Sequence, residues 1–401
     1  MSNKPPLWTK DFISVSASNF FVFTVFYILL VTMPMYALEE LGGNATEAGL
    51  LTTFFLLSAI LIRPIAGQWI EKLGKKKVLI SSQIIFLVSS VLYFFPDTLG
   101  VMLLLRLFHG IGFGMATTAT GAMVADIIPD SRRGEGMGYY VMSTNLAMVI
   151  GPFLGLTFMQ NFGSSFMFVM CVAIAALGLI SGVIIRLAEK KHTARALSIF
   201  RVNLHLNELF EFSAIRIAVV GGFFSIVYAS LLSFVSVYAE ELQIGEAAGY
   251  FFVVYAVVLL LSRPFTGRWF DQYGANFIIY PSIILFAAGM LVLSQANTAL
   301  VFLVAAGMIG VGWGTLFPSF QTIAIQEAPR EKKASATATF LSIYDLGIGL
   351  GSFIIGWVVT QTSFSVLYLS CAIYVAAGLF IYLGLYGRKA KESKEKQRQM
   401  I

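Results

Sequence analysis

Charged residues are scarce in this chain of 401 residues. Lys, Arg, Asp and Glu together make up 12% of it, whereas soluble globular domains carry about 25%. Hydrophobic residues make up 58%, and so little charge cannot cover a water-facing surface of this size. The composition therefore excludes an ordinary soluble protein and predicts an all-α integral membrane protein, since helices satisfy their own backbone hydrogen bonds in lipid.

Cysteine and histidine are also rare. The chain has two cysteines, Cys171 and Cys371, both within apolar runs, and three histidines. Neither residue type shows the spacing of a metal site or a redox motif. We expect no metal, no cofactor and no enzymatic activity, because a catalytic site needs several converging chemical groups that this sequence lacks.

Apolar runs between charged or turn-rich breaks set the number of membrane spans. A span takes about 20 apolar residues, and the runs predict twelve transmembrane helices. They lie near residues 12–38, 47–69, 78–95, 99–125, 136–160, 166–187, 214–239, 247–269, 276–294, 298–325, 335–359 and 364–386. We expect the first run to be a retained helix and not a cleaved signal peptide.

Positive charge falls almost entirely on one side of this arrangement. With the amino terminus inside, Arg106 is the one Lys or Arg that lies off the inner side, and the outer loops carry only acids. The positive-inside rule then predicts that both termini are cytoplasmic. We expect a multi-pass, lipid-embedded monomer in a bacterial plasma membrane. The net charge of +6 reflects this topology and not nucleic-acid binding.

A segment of the first half recurs 200 residues later. RPIAGQWIEKLG, which begins at Arg63, returns as RPFTGRWFDQYG, which begins at Arg263. An even number of spans separates the two copies, so the predicted fold is two parallel six-helix repeats. Such repeats are typical of transporters that bind substrate near the bilayer midplane.

The repeat also predicts the domain boundaries. We expect an amino-terminal six-helix bundle over residues 1–187 and a carboxyl-terminal bundle over residues 214–387. Residues 188–213 between them are charged and then amphipathic, as in a cytoplasmic linker that lies along the membrane. Residues 388–401 form a basic cytoplasmic tail.

Two motifs of the first half resemble those of the major facilitator superfamily. The loop after the second span contains Gly67, Glu71 and Gly74 followed by lysines, with Glu71 where the family more often has Asp. The fourth span contains Arg106 and His109, with His109 in place of the family's Gln. The resemblance extends over essentially the whole chain and implies a transporter that works by alternating access.

A third motif resembles that of one branch of the superfamily. Gly151, Pro152 and Gly155 in the fifth span match the antiporter motif of the drug:proton antiporters, although Leu156 replaces its final Gly. Pro152 removes a backbone hydrogen bond and is expected to kink the helix.

Charged and glycine residues at the inner membrane edge are candidates for a gate. An acid at the end of the fourth helix can hold such a gate closed through charge pairs with basic loop residues. The alternative is that these residues only cap helices and set topology, and the resemblance favours the gate. The candidate set comprises Arg63, Gly67, Glu71, Gly74, Lys75, Asp126, Arg132, Arg133, Arg263, Gly267, Asp271 and Glu327.

Two charges within the membrane occur in one half only. Asp345 is matched by Asn145 and Arg106 by Ala306. An ionisable group near mid-bilayer is costly and nearly always faces a polar cavity, so Asp345 is our first candidate for proton coupling. Arg106 is expected to stabilise the ionised Asp345, to bind a substrate anion or to stiffen the helix. His109 lies one turn from Arg106 and is either part of a proton relay or a neutral packing residue.

Candidates for the substrate cavity combine aromatic rings with a few polar groups. Such surfaces suit greasy ligands and attract cations to the ring faces. The alternative is that these side chains pack against lipid. The candidates are Asn19, Phe23, Tyr27, Asn145, Tyr228 and Gln321.

These features predict proton-coupled efflux of small lipophilic or cationic compounds. An exporter or symporter of a specific metabolite, such as an organic anion or a sugar, is the alternative. The expected partners are a small-molecule substrate, protons and membrane lipids.

Overall fold

A computed structural model of the protein describes residues 6–129, 132–186, 211–329 and 332–388. Within these residues the chain forms twelve long helices. Their bounds are α1 Lys10–Glu39, α2 Ala45–Leu73, α3 Lys75–Leu92, α4 Leu99–Ile127, α5 Arg133–Phe162, α6 Ser164–Ile184, α7 Phe212–Glu241, α8 Glu246–Tyr273, α9 Ala275–Ser294, α10 Ala299–Glu327, α11 Lys333–Gln361 and α12 Phe364–Tyr382. A π-helical turn, Leu383–Gly387, follows α12.

The helices confirm an all-α membrane protein. Eleven of them are long and apolar enough to cross a membrane, counted over the described residues. Large apolar side chains also lie on the surface: Leu300 and Phe380 are each 73% exposed. In water such a surface would promote aggregation, whereas in a bilayer it faces hydrocarbon.

The third helix differs from its prediction. The apolar run predicts residues 78–95, but α3 begins at Lys75 and ends at Leu92. The long lysine side chains at its start can reach water from the end of a membrane helix, so charge does not stop the helix there. At its other end the chain leaves the helix before Phe95.

The predicted linker and tail lie mostly outside the described residues. Glu211 caps α7, which begins at Phe212 and not at residue 214. Residues 187–210 and 389–401 are not described.

The six-plus-six repeat is confirmed by the helix bounds. The first and last residues of α4 are each 200 positions before those of α10, and both hairpins α2–α3 and α8–α9 turn through one glycine. Gly74 has φ 95° and Gly274 has φ 84°. This left-handed region is open to glycine at little cost, which explains why both copies have glycine at the turn.

The chain divides into two compact units. The first consists of Met1–Gly43 and Leu50–Leu204, and the second of Asn44–Gly49 and His205–Ile401. Within the first unit α1 packs on α5 and α6, and α3 packs on α4 and α6. Within the second unit α7 packs on α11, and α9 packs on α10 and α12, as the repeat requires.

Glycines bring the helices of each unit together. A Cβ on Gly110 of α4 would clash with the carbonyl oxygen of Phe55 in α2, and one on Gly112 would lie 2.9 Å from the Phe86 nitrogen in α3. In the second unit a Cβ added to Gly312 would lie 2.7 Å from the Phe286 nitrogen. Small residues allow this close backbone approach, which drives helix association where lipid removes the hydrophobic effect.

We predict that Gly110→Ala lowers the stability of the protein by about 1–3 kcal/mol, because the added methyl group overpacks the contact between α4 and α2. The measurement is the apparent unfolding temperature of the protein in detergent. Gly121→Ala on the same helix is the matched control, since a Cβ there meets no atom within 4 Å. Equal effects of the two substitutions would contradict this account of the glycines.

Candidate functional site

Arg106 lies fully buried within the first unit. Its side chain has 0% exposure, and its Nε donates a hydrogen bond to the carbonyl oxygen of Leu51 over 3.0 Å. Its Nη1 donates to the hydroxyl of Tyr93 over 3.2 Å, and its guanidinium carbon lies 4.3 Å from the centre of the Phe55 ring. Nη2 has no hydrogen-bond partner among the described residues. A buried cation is thus held by neutral groups, with one donor unused.

Tyr93 connects Arg106 to His109. The Tyr93 hydroxyl lies 2.9 Å from His109 Nδ1, and His109 is also fully buried. The imidazole packs against Phe86 with ring centres 4.2 Å apart and against Phe55 at 5.5 Å. We call Arg106, Tyr93 and His109 the polar triad. The sequence analysis identified Arg106 and His109 but missed Tyr93.

A run of aromatic rings leads from the polar triad to the predicted cavity residues. Phe55 packs on Phe26 at 5.4 Å and on Phe113 at 5.2 Å. Phe113 contacts Phe23, which in turn packs on Tyr27 at 6.2 Å. Phe23 and Tyr27 are only half-buried.

The second unit repeats three of these rings but not the polar triad. The bounds of α7 lie 202 positions after those of α1, so Tyr228 corresponds to Phe26, while Trp313 and Tyr255 correspond to Phe113 and Phe55 at the offset of 200. Tyr228 packs on Trp313 at 5.1 Å and on Tyr255 at 6.4 Å. The positions that match Arg106, His109 and Tyr93 are Ala306, Ile309 and Leu293. The aromatic framework is therefore common to both halves, and the polar triad is specific to the first.

Asn19 forms the centre of a second polar cluster in the first unit. Its Nδ2 donates to Thr144 over 2.8 Å and to Ser143 over 3.1 Å. Its Oδ1 accepts from the hydroxyls of Tyr140 at 2.9 Å and Thr120 at 3.4 Å. With 1% exposure, this side chain joins α1, α4 and α5, so its amide is engaged within the unit. Its role in the substrate cavity remains a prediction.

The matching positions of the second unit are apolar. Gly221 stands where Asn19 does, and its ideal Cβ would lie 2.7 Å from the Phe340 ring, which replaces Tyr140. Phe320 stands in place of Thr120. The first unit thus has two hydrogen-bonded clusters that the second does not repeat.

Asp345 lies near the middle of α11. It follows the first residue of that helix by twelve positions, or about 18 Å along the axis. Its side chain is half-buried. On one side of it, the carbonyl oxygen of Tyr344 accepts a hydrogen bond of 2.9 Å from Ser225 in α7. On the other side, Gly347 packs closely on the Gly222 backbone. These contacts fix α11 against α7 around the acid.

The predicted gate residues are partly brought together. Lys75, at the start of α3, forms an ion pair with Asp126, near the end of α4. It also donates to the carbonyl oxygen of Ala122 over 2.9 Å. The partner of Asp126 is therefore a lysine of its own unit. The second unit cannot form this pair, because Ala275 and Gln326 occupy the matching positions.

The other predicted gate residues differ in burial. Glu71 is exposed, whereas Arg63, Arg132, Arg263 and Glu327 are half-buried. Gly67 and Gly267 have no atom within 4 Å of an added Cβ. The side chains of Arg133 and Asp271 lie outside the part of the chain that is described.

The predicted antiporter motif lies where α5 contacts α1. An added Cβ on Gly151 would lie 2.7 Å from Tyr27, and one on Gly155 would lie 3.1 Å from Ile28. The helix α5 continues through Pro152.

The three remaining cavity candidates differ in burial. Asn145 and Gln321 are half-buried, whereas Tyr228 is only 4% exposed. Among the described residues no group of three His, Cys, Asp or Glu side chains is placed to bind a metal ion.

Glu211 is a charged residue that the sequence analysis did not identify. It is buried at the start of α7 and forms an ion pair of 3.2 Å with Lys332. Its backbone nitrogen donates to Thr339 of α11 over 2.9 Å. Hydrogen bonds from the Ser213 hydroxyl and backbone N–H, together with Lys332, hold the pKa of Glu211 below its ordinary value, against the opposing effect of burial. The one signal in the sequence was an acid placed just ahead of an apolar run.

Comparison with known proteins identifies a family. A sequence model of the Major Facilitator Superfamily matches residues 15–352. The staphylopine export protein of Staphylococcus aureus is 24% identical over 364 residues, which are 87% of this chain and 89% of that protein. The quinolone resistance protein NorA of the same species is 29% identical over 174 residues, which are 43% of this chain and 44% of NorA.

Solved structures support the same fold. The crystal structure of a variant of peptide transporter POT superposes with a TM-score of 0.76 at 12% identity. The match covers 95% of each chain. At this identity the likeness concerns the fold alone.

We predict that the stability gained from Glu211 is lost at low pH. Because the folded-state pKa is lowered, the contribution is present above the ordinary value of 4.5 and disappears as the pH falls through the lowered pKa. Glu211→Gln should therefore lower the unfolding temperature near neutral pH, and the difference from wild type should vanish in acid.

The measurement is thermal unfolding in detergent across this pH range. Asp97→Asn, which removes an exposed acid, is the control and should follow wild type throughout. A deficit of Glu211→Gln that persists unchanged into acid would contradict the prediction.

Proposed function

The chain belongs to the Major Facilitator Superfamily, and we propose that it exports small lipophilic or cationic compounds in exchange for protons. As a member of that family it is a multi-pass membrane protein and a secondary transporter, not an enzyme. The proposed location is the plasma membrane of a bacterium, with both termini in the cytoplasm and the monomer as the working unit.

The observation that carries the proposal is the position of Asp345. It is a half-buried acid about halfway along a membrane helix, and the other half of the duplicated chain has Asn145 there. An ionisable group inside a membrane helix is costly and nearly always marks a transport pathway or a proton relay. A residue present in only one repeat is free to serve a task that the shared framework does not require.

The proposed cycle moves protons inward while substrate moves outward. Asp345 takes up a proton when it is open to the outside and releases it to the cytoplasm. The gain is about 2.3 kcal/mol per charge for each 100 mV of membrane potential, in addition to the pH gradient. Substrate and proton occupy the site of Asp345 in turn, and this alternation couples proton entry to substrate export.

Arg106 is proposed to assist proton coupling from the first unit. It is a buried cation whose described contacts are all neutral, and its Nη2 has no hydrogen-bond partner. A buried positive charge with only neutral contacts attracts a negative charge strongly, because the protein interior has a low dielectric constant. In this proposal it takes part in proton coupling as the buried charge of the first unit.

The ion pair of Lys75 and Asp126 supports the proposed inner gate. Both groups lie at one end of the first unit, where α3 begins and α4 ends. A charge pair at this edge stabilises one conformation and is broken in another. Because Ala275 and Gln326 cannot form it, the gate is proposed to be controlled from the first unit.

Two relatives support the direction of transport. The proteins similar to this chain include a staphylopine export protein and a quinolone resistance protein. The half-buried rings of Phe23 and Tyr27 supply the aromatic surface that lipophilic cations favour.

Transport of a specific metabolite is the second candidate. A buried arginine with an unused donor suits an anionic substrate, and a relative that matches 87% of this chain is a staphylopine export protein. Competition by small carboxylates or sugars, and not by lipophilic cations, would favour this candidate.

We predict that Asp345→Asn abolishes pH-driven transport while the protein still folds. The measurement is efflux of ethidium, a lipophilic cation, from liposomes containing the purified protein under an imposed pH gradient. The expected rate falls to that of empty liposomes, because asparagine cannot carry the proton. Asp97→Asn, an exposed acid, is the matched control and should retain wild-type efflux.

Retained gradient-driven efflux in Asp345→Asn would reject Asp345 as the coupling acid. A wild-type efflux rate that does not depend on the pH gradient would reject proton coupling itself.

A further inference from the structure

The hydrogen bonds of the polar triad have a fixed direction. A guanidinium group only donates, and a phenol has a single proton. Since Tyr93 accepts from Arg106 Nη1 at 3.2 Å, its own proton is left for His109 Nδ1, 2.9 Å away. In either state His109 Nε2 has no hydrogen-bond partner among the described residues. If Nδ1 donated instead, the phenolic proton of Tyr93 would lack an acceptor as well, and a second unpaired group adds to the cost.

This direction determines the state of His109. An imidazole whose Nδ1 accepts a hydrogen bond carries its proton on Nε2 and is neutral. A second proton on Nδ1 would break the hydrogen bond from Tyr93 and place a second cation beside Arg106. Among the described residues, the titratable side chains at this site are Arg106 itself, Tyr93 of α3 and Cys171 of α6. None of them is a carboxylate that would stabilise an imidazolium.

Tyr93 also fixes the guanidinium of Arg106. With Nε bonded to Leu51 and the group resting on the Phe55 ring, the contact of Nη1 with Tyr93 leaves Nη2 as the donor without a partner. The Tyr93 ring is itself held by stacking on Phe168, with ring centres 5.5 Å apart and an angle of 7°. Removal of the hydroxyl alone should therefore leave the ring in place.

We propose that Tyr93 is a positioning residue that orients Arg106 for proton coupling and keeps His109 neutral as its Nε2–H tautomer. His109 then does not carry the transported proton, which leaves this task to Asp345. The part of the proposal that concerns coupling rests on the proposed function, whereas the tautomer of His109 does not.

The second unit provides a matched control. At the position of Tyr93 it has Leu293, whose carbonyl oxygen accepts a hydrogen bond of 3.3 Å from the hydroxyl of Tyr238. Tyr238 is as buried as Tyr93 and packs on Tyr368, which corresponds to Phe168, at 5.1 Å. Its hydroxyl lies within hydrogen-bond distance of the carbonyl oxygens of Leu293 and Ala296 and also interacts with Ser365. Tyr238→Phe thus removes a buried hydroxyl without disturbing a polar triad.

The first experiment determines the tautomer directly. The chain has three histidines, so replacement of His192 and His205 by Gln leaves His109 as the single source of signal in protein labelled with nitrogen-15 histidine. We expect the nitrogen spectrum of the Nε2–H tautomer, unchanged between about pH 5.5 and 8.5, where a free imidazole titrates. Tyr93→Phe should shift the Nδ1 signal, and Tyr238→Phe should not. A His109 that titrates, or that carries its proton on Nδ1, would overturn the proposal.

The second experiment separates positioning from stability. In liposomes, Tyr93→Phe should lower ethidium efflux driven by a pH gradient about tenfold, the factor that corresponds to about 1.4 kcal/mol. Without a gradient, the exchange of ethidium by Tyr93→Phe should stay within about twofold of the wild-type rate. The control Tyr238→Phe should stay within about twofold of wild type in both assays.

An equal loss of both activities in Tyr93→Phe would show a merely structural role and overturn the coupling part of the proposal. If wild-type efflux ignores the gradient, the proposed function fails and the coupling part fails with it. The tautomer is then still decided by the nitrogen spectrum.

Discussion

The polar groups that this protein buries in the bilayer depend on the chain itself for their hydrogen-bond partners, because lipid supplies none. Arg106 illustrates the constraint. Its guanidinium is bonded to a backbone carbonyl group and a phenol, and it lies on an aromatic ring. Asn19 meets the same requirement with four side-chain hydroxyls. The few charges are therefore placed by the contacts available to them, and the glycine contacts bring the helices close enough to provide these contacts.

The duplicated sequence separates what the fold needs from what is specific to one half. Both halves have the glycines at the turns and helix contacts, and both have the aromatic rings around Phe55 and Tyr255. The polar triad, the Asn19 cluster and the pair of Lys75 and Asp126 occur in the first half. The second half has none of these groups at the matching positions, and it has the acid Asp345 where the first has Asn145. We infer that the shared part forms the framework and that the unshared polar groups carry out the coupling.

The helices, the repeat and the buried cation could be predicted from the sequence. Apolar runs of membrane length leave little choice of structure, and Arg106 was conspicuous as the one basic residue off the inner side. The partners of the charges could not be predicted, since they lie on other helices and depend on helix rotation. Lys75 bonded to Asp126, Tyr93 between Arg106 and His109, and Glu211 bonded to Lys332 are all of this kind. A comparison of each polar residue with its copy 200 positions away would have drawn attention to Tyr93, because Leu293 replaces it.

The measurement that tests the central claim most directly is proton release from the purified protein. In weakly buffered detergent solution near neutral pH, addition of a transported substrate should displace protons from wild type, because substrate and proton use one carboxyl group in turn. The account predicts that Asp345→Asn binds the same substrate and releases none. Proton release of equal size from Asp345→Asn would contradict it.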